Sequence, residues 1–181
     1  VRNKIHAAFE RGLKMVLDCQ VSQQGVKTAW AQQHDNITLQ PVKARTFELP
    51  AITANESCEI LLFLMGIKNP SPEVVEAIHC GVKWLRQVQI KDVKLKRVPL
   101  APDQIINHEY PYDLVVVKDL KAEPIWARFY EVTNNKPFMC TRAGEKVWRL
   151  ADVDPERRTG YDWYGYWPKK VFEAYAKFIS R

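Results

Sequence analysis

Three arginines stand singly among aromatic and aliphatic residues. They are Arg45 in Gln-Pro-Val-Lys-Ala-Arg-Thr-Phe-Glu-Leu-Pro (40–50), Arg128 in Pro-Ile-Trp-Ala-Arg-Phe-Tyr-Glu (124–131) and Arg142 in Phe-Met-Cys-Thr-Arg-Ala-Gly (138–144). A guanidinium hemmed in by Trp126 and Phe129, or by Phe47 and Leu49, is held half-buried by packing, its donors aimed at something planar and anionic. Several such forks converging on one cleft would bind a ligand that carries repeated carboxylates or phosphates. Alternatively, each arginine pairs with a nearby glutamate, Glu48, Glu131 or Glu145, which is the commoner use of a lone arginine.

Other candidate chemistry is thinner. Gln32-Gln33-His34-Asp35 offers a His/Asp pair for acid–base work, but no nucleophile accompanies it and a turn with a structural histidine fits as well. Lys91, Lys94, Lys96 and Arg97 form a basic run that could meet phosphates or line a solvated strand face. The stretch Glu156-Arg-Arg-Thr-Gly-Tyr-Asp-Trp-Tyr-Gly-Tyr-Trp167 places five aromatics within seven residues beside two arginines. Flat rings of this kind stack on sugar faces or on bases, or pack a loop into a core. The sequence has no Gly-x-Ser-x-Gly, phosphate loop or dinucleotide fingerprint.

The elements that must position these groups can be read from periodicity. Ile5, Phe9, Leu13 and Val16 predict an amphipathic helix over about 2–20. Thr53-Ala-Asn-Glu56 reads as a capping box opening a buried helix over 54–66 that stops at Gly66. Ser71-Pro72 caps a third helix, with Val74, Ile78, Val82 and Leu85 as its stripe, over 72–90. Val171, Phe172, Tyr175 and Ile179 mark a last helix over 169–179. Between Lys91 and Gly165 the period changes. Short strands are expected near 91–98, 115–117, 125–130 and 147–150, broken into loops by Pro99, Pro102, Pro111, Pro124 and Pro137.

The 181 residues suffice for one core, and 46% hydrophobic content excludes a disordered chain. The longest apolar run, Ile60–Met65, is far below the roughly 20 residues of a membrane span. A net charge of +6 points to an acidic partner, whether nucleic acid, lipid surface or acidic polysaccharide. Cys19, Cys58, Cys80 and Cys140 are widely spaced with no metal-ligand pattern, so disulfides and separate buried thiols both remain open while zinc does not. Because the sequence opens at Val1 inside a helical stretch, a fragment lacking its N-terminal neighbour is expected.

Taken in order, Ala-Gln-Gln-His-Asp, Pro-Val-Lys-Ala-Arg-Thr-Phe-Glu-Leu-Pro and Asn-Pro-Ser-Pro-Glu-Val-Val-Glu-Ala-Ile resemble polysaccharide lyase family 10, the pectate lyases. Ile-Trp-Ala-Arg-Phe-Tyr-Glu and Glu-Arg-Arg-Thr-Gly-Tyr-Asp-Trp-Tyr-Gly extend the likeness over about residues 6–173. The resemblance implies a mainly α fold, part of an (α/α)3 toroid, with short strands and long loops in the second half. Residues 1–181 would then be the C-terminal portion of one catalytic domain. It also implies a secreted, monomeric pectate lyase that acts on polygalacturonate and pectin oligosaccharides by anti β-elimination. Arg45 would be the Brønsted base, Arg128 and Arg142 would grip substrate carboxylates, and Lys43, Tyr161 and Trp163 would line the cleft. Calcium is implied as cofactor, with its ligands mostly outside this chain and no metal-binding residue assigned within it. The alternative is a non-catalytic binder of acidic polysaccharide. A nucleic-acid partner is disfavoured, because the arginines are isolated rather than arrayed as a basic stripe.

Overall fold

The computed structural model describes residues 2–181. Helix α1 (Arg2–Asp18) leads into a tight hairpin, β1 (Ser22–Gln23) and β2 (Val26–Lys27), followed by the irregular stretch that carries Arg45. Strand β3 (Ile52–Thr53) runs directly into α2 (Ala54–Met65), and α3 (Pro72–Gln87) follows. A long hairpin, β4 (Val93–Pro99) and β5 (Tyr112–Lys118), precedes the short strands β6 (Trp126–Ala127), β7 (Phe129–Tyr130), β8 (Pro137–Cys140) and β9 (Lys146–Val147). The chain ends with α4 (Pro155–Gly160), β10 (Tyr164–Gly165) and α5 (Pro168–Ile179).

The four predicted helices are present, and α3 forms for the reasons read from its stripe and cap. In α3, Val74, Ile78, Val82 and Leu85 are all at most 1% exposed, and the Ser71 hydroxyl accepts from the Val74 N–H at the helix start. Two details differ. The capping box at Thr53 does not form: its hydroxyl turns inward to the Trp30 carbonyl at 3.2 Å, and Glu56 is drawn to an arginine. Helix α1 exists, but its apolar stripe is largely open, with Ile5 64% and Phe9 42% exposed and only Leu17 buried.

The mainly α toroid is not what the chain forms. It is 40% helical and 20% strand, with several antiparallel sheets, and is a mixed α/β structure. The strand order β3-β7-β8-β9 gives the largest sheet, while β10 pairs with β6 and the β4–β5 hairpin stands on its own. The physical reason lies in residues 91–165, where alternating and β-branched runs pair across turns; helical periodicity nearer the N-terminus says nothing about them.

Two cores result. One gathers α1, α2 and α3 around Trp30, Leu61, Ile78 and Leu85, with Trp126, Ala127 and Tyr130 entering from the strands. The second holds Phe129, Phe138, Met139, Cys140 and Trp163, with Phe47 and Tyr161 packed on its edge. All four cysteines are free, Cys58 and Cys140 being buried. Among the described residues no helix is long and apolar enough to cross a membrane.

Candidate active site

The segment from Trp126 to Tyr130 divides its side chains between the two cores, and Arg128 sits at the join. Its N–H donates to the Trp163 carbonyl at 2.8 Å, and its carbonyl accepts from Ala54 at 3.1 Å, so one residue is stitched to both neighbouring elements. The side chain is 15% exposed. It donates through Nη2 to Glu56 Oε1 at 2.5 Å and lies 4.9 Å over the Tyr161 ring. Its Nε has no acceptor.

Arg45 opens a turn that closes on Glu48. The Glu48 N–H donates to the Arg45 carbonyl at 2.9 Å, and the guanidinium folds back so that Nε reaches Glu48 Oε2 at 2.7 Å and Nη2 meets Oε1. That fork leaves Nη1 as the nitrogen Glu48 does not hold. The Glu48 carboxylate is buried and accepts also from Gln32 at 3.0 Å and from the Tyr161 hydroxyl at 3.1 Å. Burial by itself pushes this carboxyl up, but the hydrogen bonds from Arg45 and Gln32 outweigh it and hold it down at about 2. Glu48 therefore contributes its full stability above the ordinary carboxylate range, and this contribution is lost as pH falls toward about 2. Reciprocally, the Glu48 contact raises the Arg45 guanidinium above its ordinary value.

Arg142 projects from the turn between β8 and β9, with Nη2 on Glu156 Oε1 at 3.0 Å and its backbone N–H on Asp154 at 2.5 Å. This turn docks on the Arg45 loop through Gly144. That glycine adopts φ +87°, and a Cβ there would run into the Thr46 carbonyl oxygen. Replacing Gly144 with alanine is expected to destabilise the protein by about 1–3 kcal/mol and to part the two loops. Thermal unfolding together with binding of an acidic oligosaccharide checks this; unchanged values for both would show that the loops are not coupled there.

Rings tie the arginines together. Phe47 has Arg45 at 5.4 Å, Arg142 at 5.9 Å and Arg157 at 3.8 Å from its centroid, and Tyr161 has Arg128 at 4.9 Å and Arg157 at 5.0 Å. Phe47 and Tyr161 meet edge to face at 6.3 Å. The structure thus brings Arg45, Arg128, Arg142 and Tyr161 into one patch. Lys43 lies exposed two residues before Arg45 and has no carboxylate partner among the described residues. Trp163, expected on a cleft wall, is instead 2% exposed; it lies beneath Tyr161 and donates its indole N–H to the Arg157 carbonyl. Its work is support.

Arg157 was missed by sequence reasoning, although the Arg157-Arg158 doublet beside the aromatic run was a signal. Adjacent helical residues point roughly 100° apart, and the two arginines separate accordingly. Arg158 forks onto Asp113, both contacts at 2.8 Å, while Arg157 turns into the Phe47–Tyr161–Trp163 rings. The His34-Asp35 pair is structural. His34 Nε2 accepts from the Ala31 N–H, Nδ1 meets the Leu39 carbonyl, and Asp35 caps the turn at Ile37 and Thr38.

A calcium cage does not fit the residues present. Among the described residues no three of His, Cys, Asp and Glu are grouped to hold a metal ion, and Glu48 and Glu56 are each taken up by an arginine.

A family model described as pectic acid lyase matches residues 1–172. Two solved structures are similar, both of a family 10 polysaccharide lyase from Cellvibrio cellulosa. One is the enzyme by itself, 28% identical with a TM-score of 0.81. The other is a mutant in complex with trigalacturonic acid, 28% identical with a TM-score of 0.80. Each comparison covers 98% of this chain and 52% of that one, so the chain spans about half the length of the structures it matches. No curated relative matches it. On its sequence and on the match over residues 1–172, the chain belongs to the pectic acid lyase family.

Proposed function

We propose that this chain carries the arginine-bearing face of a pectate lyase that cleaves polygalacturonate by anti β-elimination to 4,5-unsaturated oligogalacturonides. The observation that most supports it is the gathering of Arg45, Arg128 and Arg142 around Phe47 and Tyr161 in a chain of this family. In the elimination a base takes the proton from C5, negative charge builds toward the C6 carboxylate, and the C4–oxygen bond breaks as the C4=C5 bond forms, the departing oxygen taking a proton from water. In this reading Arg128 and Arg142 hold such carboxylates, and their fixed charges stabilise that developing charge without reorganising. Tyr161 presents a ring face to the sugar, and Lys43 adds to the positive field. Arg45 takes the proton at Nη1, the nitrogen left outward by the Glu48 fork.

An arginine base is demanding. Its ordinary pKa is about 12.5–13.8, so a lyase working near pH 10 must find roughly 3 units, about 4 kcal/mol. Positive charge on Lys43, Arg128 and Arg142 would act in the lowering direction. The structure shows the opposite influence prevailing in the free protein, since Glu48 stabilises the protonated guanidinium. Arg45 is 64% exposed, so it can leave Glu48 when a substrate arrives. Glu48→Gln is therefore expected to move the rising limb of the kcat/KM–pH profile down by about 1 unit. An unmoved limb would mean that Glu48 does not govern the base.

The same pairing favours a second reading, a binder of acidic polysaccharide that keeps Arg45 protonated. Ultraviolet absorbance from an unsaturated product, assayed on the intact protein with polygalacturonate, separates the two. Calcium dependence, a secreted setting and a monomeric state come with the lyase reading, calcium having its ligands mostly outside this chain.

A further inference from the structure

Arg157 is the cation that the elimination scheme does not use. It is 5% exposed, in the short helix α4, and among the described residues it has no carboxylate partner. Its Nε and Nη2 are buried with no hydrogen-bond acceptor. Every other arginine of the patch has a carboxylate: Arg45 has Glu48, Arg128 has Glu56 and Arg142 has Glu156. Arg157 is held by its faces instead, with Phe47 at 3.8 Å, Tyr161 at 5.0 Å and Trp163 at 5.2 Å from the guanidinium carbon. Stacking supports the plane of the group but leaves the N–H bonds in that plane unmet.

A buried charge without a partner is strongly unfavourable, and an apolar side chain of similar volume would fill the aromatic box at less expense. The neighbours indicate which charge is missing. Burial pushes the Arg157 guanidinium below its ordinary value and the Arg142 charge adds to this, outweighing the opposing pull of Tyr161, Glu156 and Asp154. An anion would relieve both. The free Nε–Nη2 edge has the spacing that a carboxylate fills with two parallel hydrogen bonds. The Phe47 ring that stacks on the group is partly exposed and belongs to the Arg45 turn.

We propose that Arg157 is a further substrate-binding residue, whose buried Nε–Nη2 edge receives a carboxylate of the acidic chain. The proposal rests on the reading of this protein as a binder and cleaver of polygalacturonate, and it assigns Arg157 a carboxylate of its own, separate from those held by Arg128 and Arg142. It also accounts for the unpaired charge as stability given up for binding.

The test uses the intact protein, with trigalacturonate as probe, in wild type and Arg157→Met. Without ligand, Arg157→Met is expected to unfold about 2–4 °C higher, because a buried unpaired charge is gone. Titration calorimetry should show it binding trigalacturonate roughly tenfold or more weakly. Equal affinity in the two proteins overturns the role of Arg157 and leaves the lyase reading in place. A wild type that binds no trigalacturonate overturns both. Should Arg157→Met fail to fold, isotope-labelled NMR of the wild type follows the Arg157 Nε–H directly. That resonance is expected to shift and to exchange more slowly on adding trigalacturonate but not a neutral galactose oligomer; an unmoved resonance overturns the proposal.

Discussion

Arg45→Ala, made in the intact protein, is expected to lower kcat and kcat/KM together by about 10²–10⁴-fold while leaving affinity for polygalacturonate nearly unchanged. A base acts only as the C5 proton moves, so its removal is felt in the transition state and hardly in the ground state. Arg45 is suited to such a variant. It is mostly exposed, and its one strong contact is with Glu48, which keeps hydrogen bonds from Gln32 and Tyr161 after the arginine is gone. The fold should therefore survive. Arg45→Lys keeps the positive charge but not the Nη1 geometry, and it should be equally inactive. Steady-state kinetics across alkaline pH check both variants. A variant that kept about a tenth of its kcat while KM rose would make Arg45 a binding residue only.

Arg128→Ala should do damage of a different kind. The guanidinium is deeply set, its partner Glu56 has a second oxygen that is already buried without a donor, and the Arg128 backbone joins two strand pairings. Loss of the arginine strands a carboxylate and is expected to cost about 3 kcal/mol of stability, together with a raised KM from the lost grip on substrate. The two effects separate in a double variant. Adding Glu56→Gln should restore most of the stability, because the stranded charge is gone, and should leave KM high. Denaturant unfolding and kinetics on both proteins measure this; recovery of KM in the double variant would show that Arg128 acts only as the partner of Glu56.

How much of this was legible beforehand depended on whether the causes were local. Helix α3 was legible because its stripe and its Ser71 cap lie within the segment that folds. The Arg45–Glu48 pair was legible for the same reason, three residues apart within one turn. The other two arginine partners were not. Arg128 reaches Glu56 across 72 positions, and Arg142 takes Glu156 rather than the nearer Glu145. Glu131, offered for Arg128, pairs with Lys146 instead. Short strands were legible, since β6 and β7 fall within the expected 125–130 stretch, but strands of two residues carry no periodicity that announces how they pair into sheets. Arg157 and Trp163 show the same limit for the site. Both lie beside Tyr161 in sequence, yet whether a ring or a guanidinium faces solvent or core is settled by Phe47 and Phe129, which arrive from distant segments. The aromatic run signalled a site but not which of its residues would form the surface.

The arginine patch either performs an elimination or only holds an acidic chain. Ultraviolet absorbance during incubation of the intact protein with polygalacturonate measures this directly, because only elimination creates the conjugated 4,5 double bond. The expected result is a steady rise for the wild type, strongest in alkaline buffer, and a flat trace for Arg45→Ala at matched substrate occupancy. Tight binding of polygalacturonate by the wild type with no rise in absorbance would contradict it.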